Sequence, residues 1–439
     1  MSTTAPDRPG VGEADPQPEG SARLLSALDP TGAPVTLAAH RSTYPQPLAA
    51  NGRARSLVDE VDAAGLRGRG GAGFPTAHKL RAALDAPGDP IVVVNGTEGE
   101  PASAKDRFLL ASSPQLVLDG ALLAARAIGA TEVRVCVERG AERELVAVHR
   151  AIEERRGVEP LPDVQVLATP NHFVAGEESA LVHWLDGGDA LPTGRLVRPT
   201  LRGVAGRPTL VDNVETVAHL AQVNRFGAEW FRRSGTAAEP GTRLCTVTLP
   251  DGSRRVVEAG CGSPLAPIAT AAGATLDGSG GVLVGGYFGA WITAAEAAGA
   301  AFGDDGLHHL GATAGCGVIA PLPPGVCGWC ETARALWWMA GESAGQCGPC
   351  VNGLGAIADL AGQVAGGSAP ANAVPWLQRW GDQVDGRGAC RLPDGAVRLL
   401  RSALRVFARE VDQHLGLGRC PLGSVGFLPF PDHRSAPWR

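Results

Sequence analysis

Lysine is nearly missing from this chain. Of its 39 Lys and Arg side chains only Lys79 and Lys105 are lysines, so arginine is used wherever a guanidinium serves. The two ammonium groups flank one segment, which implies that a compact point charge is wanted there in place of a planar fork. Long apolar runs are missing too: none reaches the roughly 18 residues that can span a bilayer. The N-terminus shows no basic stretch followed by an apolar core, so no secretory leader is expected. The formal charge is −6, 39 basic side chains against 45 acidic ones, and no basic stripe stands out, so nucleic-acid binding has no support. No internal repeat is evident. Ten cysteines in 439 residues do not make a disulfide framework, yet several fall in Cys-x-x-Cys spacing, which in a reducing compartment points to metal. The expectation is a soluble, cytoplasmic chain of two or three domains.

What is present begins with glycine. From Gly65 to Lys79 the chain reads Gly-Leu-Arg-Gly-Arg-Gly-Gly-Ala-Gly-Phe-Pro-Thr-Ala-His-Lys, and five glycines within nine residues leave backbone amides free to approach an anionic ligand. Gly68, Gly70 and Gly73 satisfy G-x-G-x-x-G, but that fingerprint should follow a strand, and 56–64 has helical spacing instead. A plain flexible glycine loop is the alternative. The apolar run Ile91 to Val94 reads as a short buried strand. It ends in the turn Asn95-Gly-Thr-Glu-Gly-Glu-Pro-Ala-Ser-Ala-Lys-Asp-Arg107, a common place for α/β proteins to bind ligands.

Residues 1–20, rich in Pro, Gly and acids, cannot bury enough apolar area to offset chain entropy, and a disordered tail is expected there. Strand patterns at 91–94, 132–137 and 164–167 alternate with helical periodicity at 116–128 and 142–154, which implies right-handed crossovers and a largely parallel sheet. Asn213 opens a helical run over 214–223. Short strands at 243–249 and 254–258 and a small helix near 265–272 fit a β-grasp fold or a generic small α+β domain equally well. Helical runs at 331–343, 351–364, 371–384 and 394–413, with cysteines in the short connections, favour an antiparallel bundle.

Together with Gly176-Glu-Glu-Ser179, Asp212-Asn-Val-Glu-Thr216 and a C-terminal Cys-x-x-Cys, these segments resemble the NADH-oxidising flavoprotein subunit of respiratory complex I and related diaphorase subunits, in one order from about Ser56 to about Val406. The resemblance implies an α/β, Rossmann-like FMN-binding domain with a parallel sheet over 51–235. A β-grasp (SLBB-like) domain over 236–305 and an antiparallel helical bundle with an iron–sulfur site over 306–415 would follow, with tails over 1–50 and 416–439. It further implies hydride transfer from NADH to FMN, then single electrons through a 4Fe-4S-type cluster to an iron–sulfur or ferredoxin-like partner subunit. Membrane contact, at the inner face, would come only through that partner complex. A non-catalytic scaffold that keeps the fold after losing turnover is the alternative.

By the same resemblance Gly68, Gly70 and Gly71 line the flavin pocket, Lys79 is at hand for the phosphate or ribityl group, and Asn95, Asp212 and Asn213 supply polar contacts. Glu98 and Glu100 border flavin and nicotinamide. Glu177 and Glu178 stand beside the nicotinamide, with Glu100 and Glu178 as the catalytic carboxylates. The helix macrodipole alone would also account for the Glu177–Glu178 pair in a first helical turn. Phe74, Phe173 and Arg198 complete the dinucleotide side, where the chain departs from the family: Phe173 replaces Tyr, Thr97 an acid, Arg198 a Lys, Leu201 a Phe, and Ala82 an aromatic. Two lost stacking platforms, at about 0.5–1.5 kcal/mol each, would weaken NADH roughly tenfold or more. Cys347, Cys350 and Cys390 match three cluster ligands, and the fourth is Ala344. Cys327 and Cys330 lie about 20 Å from position 344 along a helix. With Cys420 they form a possible second metal site or are small apolar residues.

Overall fold

A computed structural model of the chain describes residues 23–44, 57–194, 197–423, 426–431 and 437–439. The first unit contains α1 (Leu37–Thr43), α2 (Leu57–Ala64), α3 (Thr76–Asp85), β1 (Ile91–Gly96), α4 (Lys105–Ser112), α5 (Pro114–Ile128), β2 (Glu132–Glu138), α6 (Glu142–Arg156), β3 (Asp163–Thr169), α7 (Glu178–Leu185), β4 (Thr209–Asn213) and α8 (Val214–Arg232). Its sheet has the order β3-β2-β1-β4, every pair parallel. The run Ile91 to Val94 is fully buried, as a strand covered on both faces must be, and its β-branched side chains suit the pleat. The three expected strands are present. The fourth, β4, was not legible, because only Leu210 and Val211 in it are aliphatic and a Pro- and Arg-rich connection runs into it.

The largest helix contact of this unit is α5 against α8. Pro114 starts α5, and Gly129 ends it in a left-handed conformation, φ 75°. At the crossing, a Cβ on Gly120 would strike the Val217 carbonyl. No single helix among the described residues is long and apolar enough to cross a membrane.

The segment expected as a tail over 1–50 is packed where it is described. Glu258 accepts the amides of Arg23, Leu24 and Leu25 at 2.7, 2.7 and 3.1 Å, and Leu24 is fully buried. His40 of α1 joins Arg155 and Arg225 around the buried Asp119 carboxylate. Burial opposes that charge, but these partners hold Asp119 down to about 2. The expectation of disorder over 1–20 lies outside the described residues.

A second sheet is built from β5 (Thr242–Thr248), β6 (Arg254–Gly260), β7 (Val282–Val284), β8 (Ala290–Ile292) and β9 (Val318–Pro321), in the order β6-β5-β9-β7-β8. It carries α9 (Leu265–Ala271), α10 (Ala294–Gly299) and α11 (Asp304–His308). Its central strand β9 lies beyond the boundary expected at 305. The sequence places the break where strand signals end, whereas the sheet needs this late strand to join β5, in parallel, to β7.

Five helices follow: α12 (Gly328–Gly341), α13 (Gly355–Ala365), entered through a π-turn at Pro349–Leu354, α14 (Ala373–Val384), α15 (Leu392–Val406) and α16 (Ala408–Leu417). The single helix expected over 394–413 is two, broken at Phe407 (φ −105°, ψ 25°). Phe407 is held by Trp291, 5.0 Å away, in a slot that exists because Gly281 and Gly328 lack side chains. The described part of the 416–439 segment is no loose tail either. Leu428 is buried, Phe430 packs on Tyr287 at 5.3 Å, and Trp438 stacks on His172 at 3.6 Å.

Gly120→Val should destabilise the protein by about 1–3 kcal/mol through overpacking at the α5–α8 crossing. It should be read as a lower urea midpoint at constant slope, and an unchanged midpoint would contradict the close crossing.

Candidate functional site

Asn95 at the end of β1 stands directly beside Asn213 at the end of β4 in the parallel register. From β1 the chain crosses over to β2 and β3 on one side, while β4 flanks it on the other. This reversal leaves a crevice beyond the carboxyl ends of the two strands, the usual ligand position in open α/β sheets.

The glycine loop lies at that crevice. Its base is pinched by a bridge between Arg67 and Pro75, by Gly68 N donating to Phe74 O at 2.8 Å, and by Thr76 N donating to Leu66 O at 3.0 Å. Arg69 turns inward and is buried, its amide on Thr216 Oγ1 at 2.8 Å and its guanidinium on Pro240 O at 3.2 Å. Gly70 rests against Asn213, to which an added Cβ would come within 3.3 Å. Gly71, with φ +104°, has open space beside it, the nearest atom being Gly315 C, 3.9 Å from a built Cβ. A strand does not precede this loop; α2 does, so its geometry is not that of a dinucleotide fingerprint.

Both lysines reach the end of β4. Lys79 Nζ donates to Val211 O at 2.9 Å and to Glu178 Oε1 at 3.0 Å, with Asp212 Oδ1 at 3.9 Å. Burial opposes its charge, but Asp212 and Glu178 raise its pKa above the ordinary lysine value. Lys105 is buried and donates to Asp106 Oδ1 at 2.8 Å, Glu215 Oε2 at 2.9 Å and Asn213 Oδ1 at 3.2 Å. In the sequence Asp106 and Glu215 stand only as parts of longer motifs, and nothing local marks them as partners of one cation.

The acids divide by duty. Glu98 accepts the amides of Asp106 and Arg107 at 3.2 and 3.0 Å, so it caps α4. Glu177 caps α7 through the amides of Ser179 and Ala180 at 2.9 and 3.1 Å. Glu100 instead reaches the second sheet, accepting Tyr287 N at 2.7 Å and Ala102 N at 3.2 Å. Burial lifts its carboxyl to about 7 against the pull of those amides. Asn95 donates to Gly176 O at 2.8 Å, which ties β1 to the turn before α7.

Phe74 is exposed, and Arg198 and Leu201 lie at the surface. Phe173 is half-buried, edge-on to Phe288 at 4.8 Å and Trp338 at 5.3 Å. These contacts join it to the loop after β7 and to α12.

The thiols of Cys347, Cys350 and Cys390 gather where the π-turn meets the start of α15. Burial pushes the Cys350 thiol up, helped by Cys347 and Cys390 and opposed by a hydrogen bond from Ser343. Against its own burial, Cys347 is held below the ordinary thiol value by the amides of Ala389 and Cys350.

The family model of the Nuo51 FMN-binding domain matches residues 61–222, and that of the NADH-ubiquinone oxidoreductase-F iron–sulfur binding region matches 327–414. In both regions the chain resembles this flavoprotein-subunit family. An NADH-quinone oxidoreductase subunit of Streptomyces coelicolor is 29% identical over 385 residues, which cover 83% of this chain and 84% of the relative. The mitochondrial NADH dehydrogenase (ubiquinone) flavoprotein 1 of Dictyostelium discoideum is 28% identical over 388 residues, 82% of this chain and 78% of its own. A chain of an NAD+-reducing NiFe-hydrogenase in the H2-reduced state aligns with a TM-score of 0.78 at 28% identity, covering 91% of this chain and 67% of that one.

Burial raises the Asp212 carboxyl from 3.8 to about 6, Lys79 offsetting only part of the effect, and its Oδ2 finds no hydrogen-bond partner among the described residues. The folded state thus holds this proton more tightly than the unfolded chain. The resulting stability is complete below pH 3.8 and is lost as pH rises through about 6, a difference of about 3 kcal/mol. Asp212→Asn should therefore match the parent in urea stability near pH 4 and exceed it at pH 7. A gap independent of pH would assign the titration elsewhere.

Proposed function

We propose that this chain is an NADH-oxidising flavoprotein subunit. It would bind FMN in the crevice beneath the glycine loop and an iron–sulfur cluster on Cys347, Cys350 and Cys390, and deliver electrons to an iron–sulfur partner subunit. The observation that carries this reading is the placement of Gly70 against Asn213, the register partner of Asn95, with open space beside Gly71, at a topological switch point where two lysines converge. Bound FMN supplies a hydride acceptor that can release electrons singly, which matches a two-electron donor to a one-electron cluster.

The rest is the work of the side chains. A Cβ at Gly71 would occupy the open space beside the loop, so the residue fits a flat ligand passing close to backbone. Lys79 already faces Glu178 and Asp212. A dianionic phosphate would be repelled by those two carboxylates, so the ribityl hydroxyls are the better partner of this ammonium. Glu100, with its carboxyl near 7, can hold or release a proton at working pH. Glu178, at the first turn of α7, sets the charge of Lys79 beside the donor's position. Three thiolates suit an iron–sulfur cluster, with Ala344 offering no fourth ligand and Ser343 beside Cys350.

The β5–β6 hairpin, α9 and the central β5–β9 parallel pair support a β-grasp assignment for the second sheet, and the order of α12 to α15 supports an antiparallel bundle.

Purified full-length protein should be yellow, with flavin near-stoichiometric to polypeptide. A colourless protein that cannot be reconstituted would favour the scaffold reading. Gly70→Val should give folded apoprotein. Lys79→Met should weaken FMN and riboflavin alike, by ~10- to 100-fold for one charge-assisted contact. A loss confined to FMN would return Lys79 to the phosphate. Leu201→Phe should lower KM for NADH while flavin content stays constant, and an unchanged KM would remove that stacking position.

A further inference from the structure

Far from the crevice, four side chains with metal-ligating atoms converge. The sulfurs of Cys327, Cys330 and Cys420 and a ring nitrogen of His414 all lie within 4.8 Å of one another. We propose that these four residues form a structural zinc site, separate from the iron–sulfur site.

Each ligand is prepared by the fold. Cys327 is the N-cap of α12, and its Sγ accepts the Cys330 amide at 3.4 Å, so the Cys-x-x-Cys turn presents both sulfurs on one side of the start of α12. His414 of α16 is fully buried, and its Nδ1 lies 2.7 Å from Ala365 O. That carbonyl can only accept, which fixes the proton on Nδ1 and leaves the Nε2 lone pair as the ligand. Nε2 faces Cys327 Sγ at 3.2 Å and Cys330 Sγ at 4.0 Å. Gly418, left-handed at φ 63°, ends α16 and turns the chain so that Cys420 reaches the same point. Glu410 Oε2 sits 3.1 Å from Cys327 Sγ while accepting Trp329 N at 2.9 Å. This fixed carboxylate adds negative charge beside the set, which a bound dication would offset in part.

The spacing selects a single ion. Sulfurs sharing one tetrahedral zinc at about 2.3 Å lie about 3.8 Å apart. A cluster places its ligands on separate irons and needs a wider set. Thiolate with imidazole suits zinc, and four protein ligands leave no open position, so the site is structural. It also stands at the opposite end of α12 from the cluster cysteines, 14 helical residues or about 20 Å away. Zinc binding would displace three thiol protons and tie the start of α12 to α16 and to the segment that carries Leu428 and Phe430.

Full-length protein from zinc-supplemented medium should contain about one zinc per chain by elemental analysis, in addition to iron and acid-labile sulfide. The Cys327→Ser, Cys330→Ser double variant should lose the zinc and keep iron and sulfide. His414→Cys, which completes a four-thiolate set, should retain it. Because the double variant can fail to fold, cobalt titration of zinc-stripped wild type provides an independent reading: one equivalent should give the visible bands of a tetrahedral thiolate complex, abolished by zinc. Wild type with neither zinc nor a stoichiometric cobalt spectrum would overturn the proposal. So would a folded double variant that loses iron and sulfide together, since these cysteines would then serve the cluster. None of these readouts depends on flavin or on NADH oxidation.

Discussion

The Lys105 ammonium, buried at the end of β4, is the contact on which the arrangement of this molecule depends. It has three N–H donors and meets three acceptors, on Asp106, Asn213 and Glu215. Those acceptors belong to α4, to the end of β4 and to α8. Glu215 uses its other oxygen to accept Leu244 N of β5 at 2.8 Å, so the same ion pair joins the second sheet to the first. A guanidinium is too wide for such a point, which explains why an arginine-rich chain keeps a lysine here. Removing one partner of a buried pair of this kind costs about 3–5 kcal/mol, because the other charge is left without compensation.

The crevice inherits its shape from that junction. Asn213 is held by Lys105 and by Asp106, and it is the surface against which Gly70 lies. The second sheet closes the far side with backbone. Gly286 abuts the Glu100 carboxylate, and Gly315 faces Gly71, so backbone of the second unit approaches both. Glu100 takes the Tyr287 amide across this boundary, which couples a proton near pH 7 to the contact between sheets. Lys79 lies on the other flank of β4 and neutralises carboxylates of α7 and β4. One strand end thus organises both lysines, both asparagines and the loop.

The helical part is organised along α12. Its end leads through Ser343 to Cys347 and Cys350, and its start carries Cys327 and Cys330. Between these stations Trp329, Leu336 and Met339 are buried in one apolar core with α13 and α15. That rigid stretch keeps two sets of thiols about 20 Å apart. The C-terminal segment then packs on the outer side of α12, with Glu331 accepting the amides of Phe427 and Leu428.

Several features followed from the sequence itself. β1 was legible because four consecutive β-branched residues bounded by turn signals have few other uses, and α5 and α6 because their apolar periods are long. The glycine loop, the two lysines, the Asn95 turn and the cluster cysteines were marked by composition and spacing, and the family followed from their order. The tertiary structure decided what local pattern does not encode. β4 and β9 are strands because neighbouring strands need partners, not because their own residues demand it. Glu98 and Glu177 became helix caps and Glu100 a near-neutral acid, although all three read alike as acids in polar turns. Phe407 broke a helix whose periodicity was continuous, because glycines elsewhere left a slot for its ring. His414 joined three cysteines from which it is remote or only loosely spaced in sequence. A ligand set is a property of positions in space, and the chain specifies those only once α12, α16 and the turn at Gly418 are packed together.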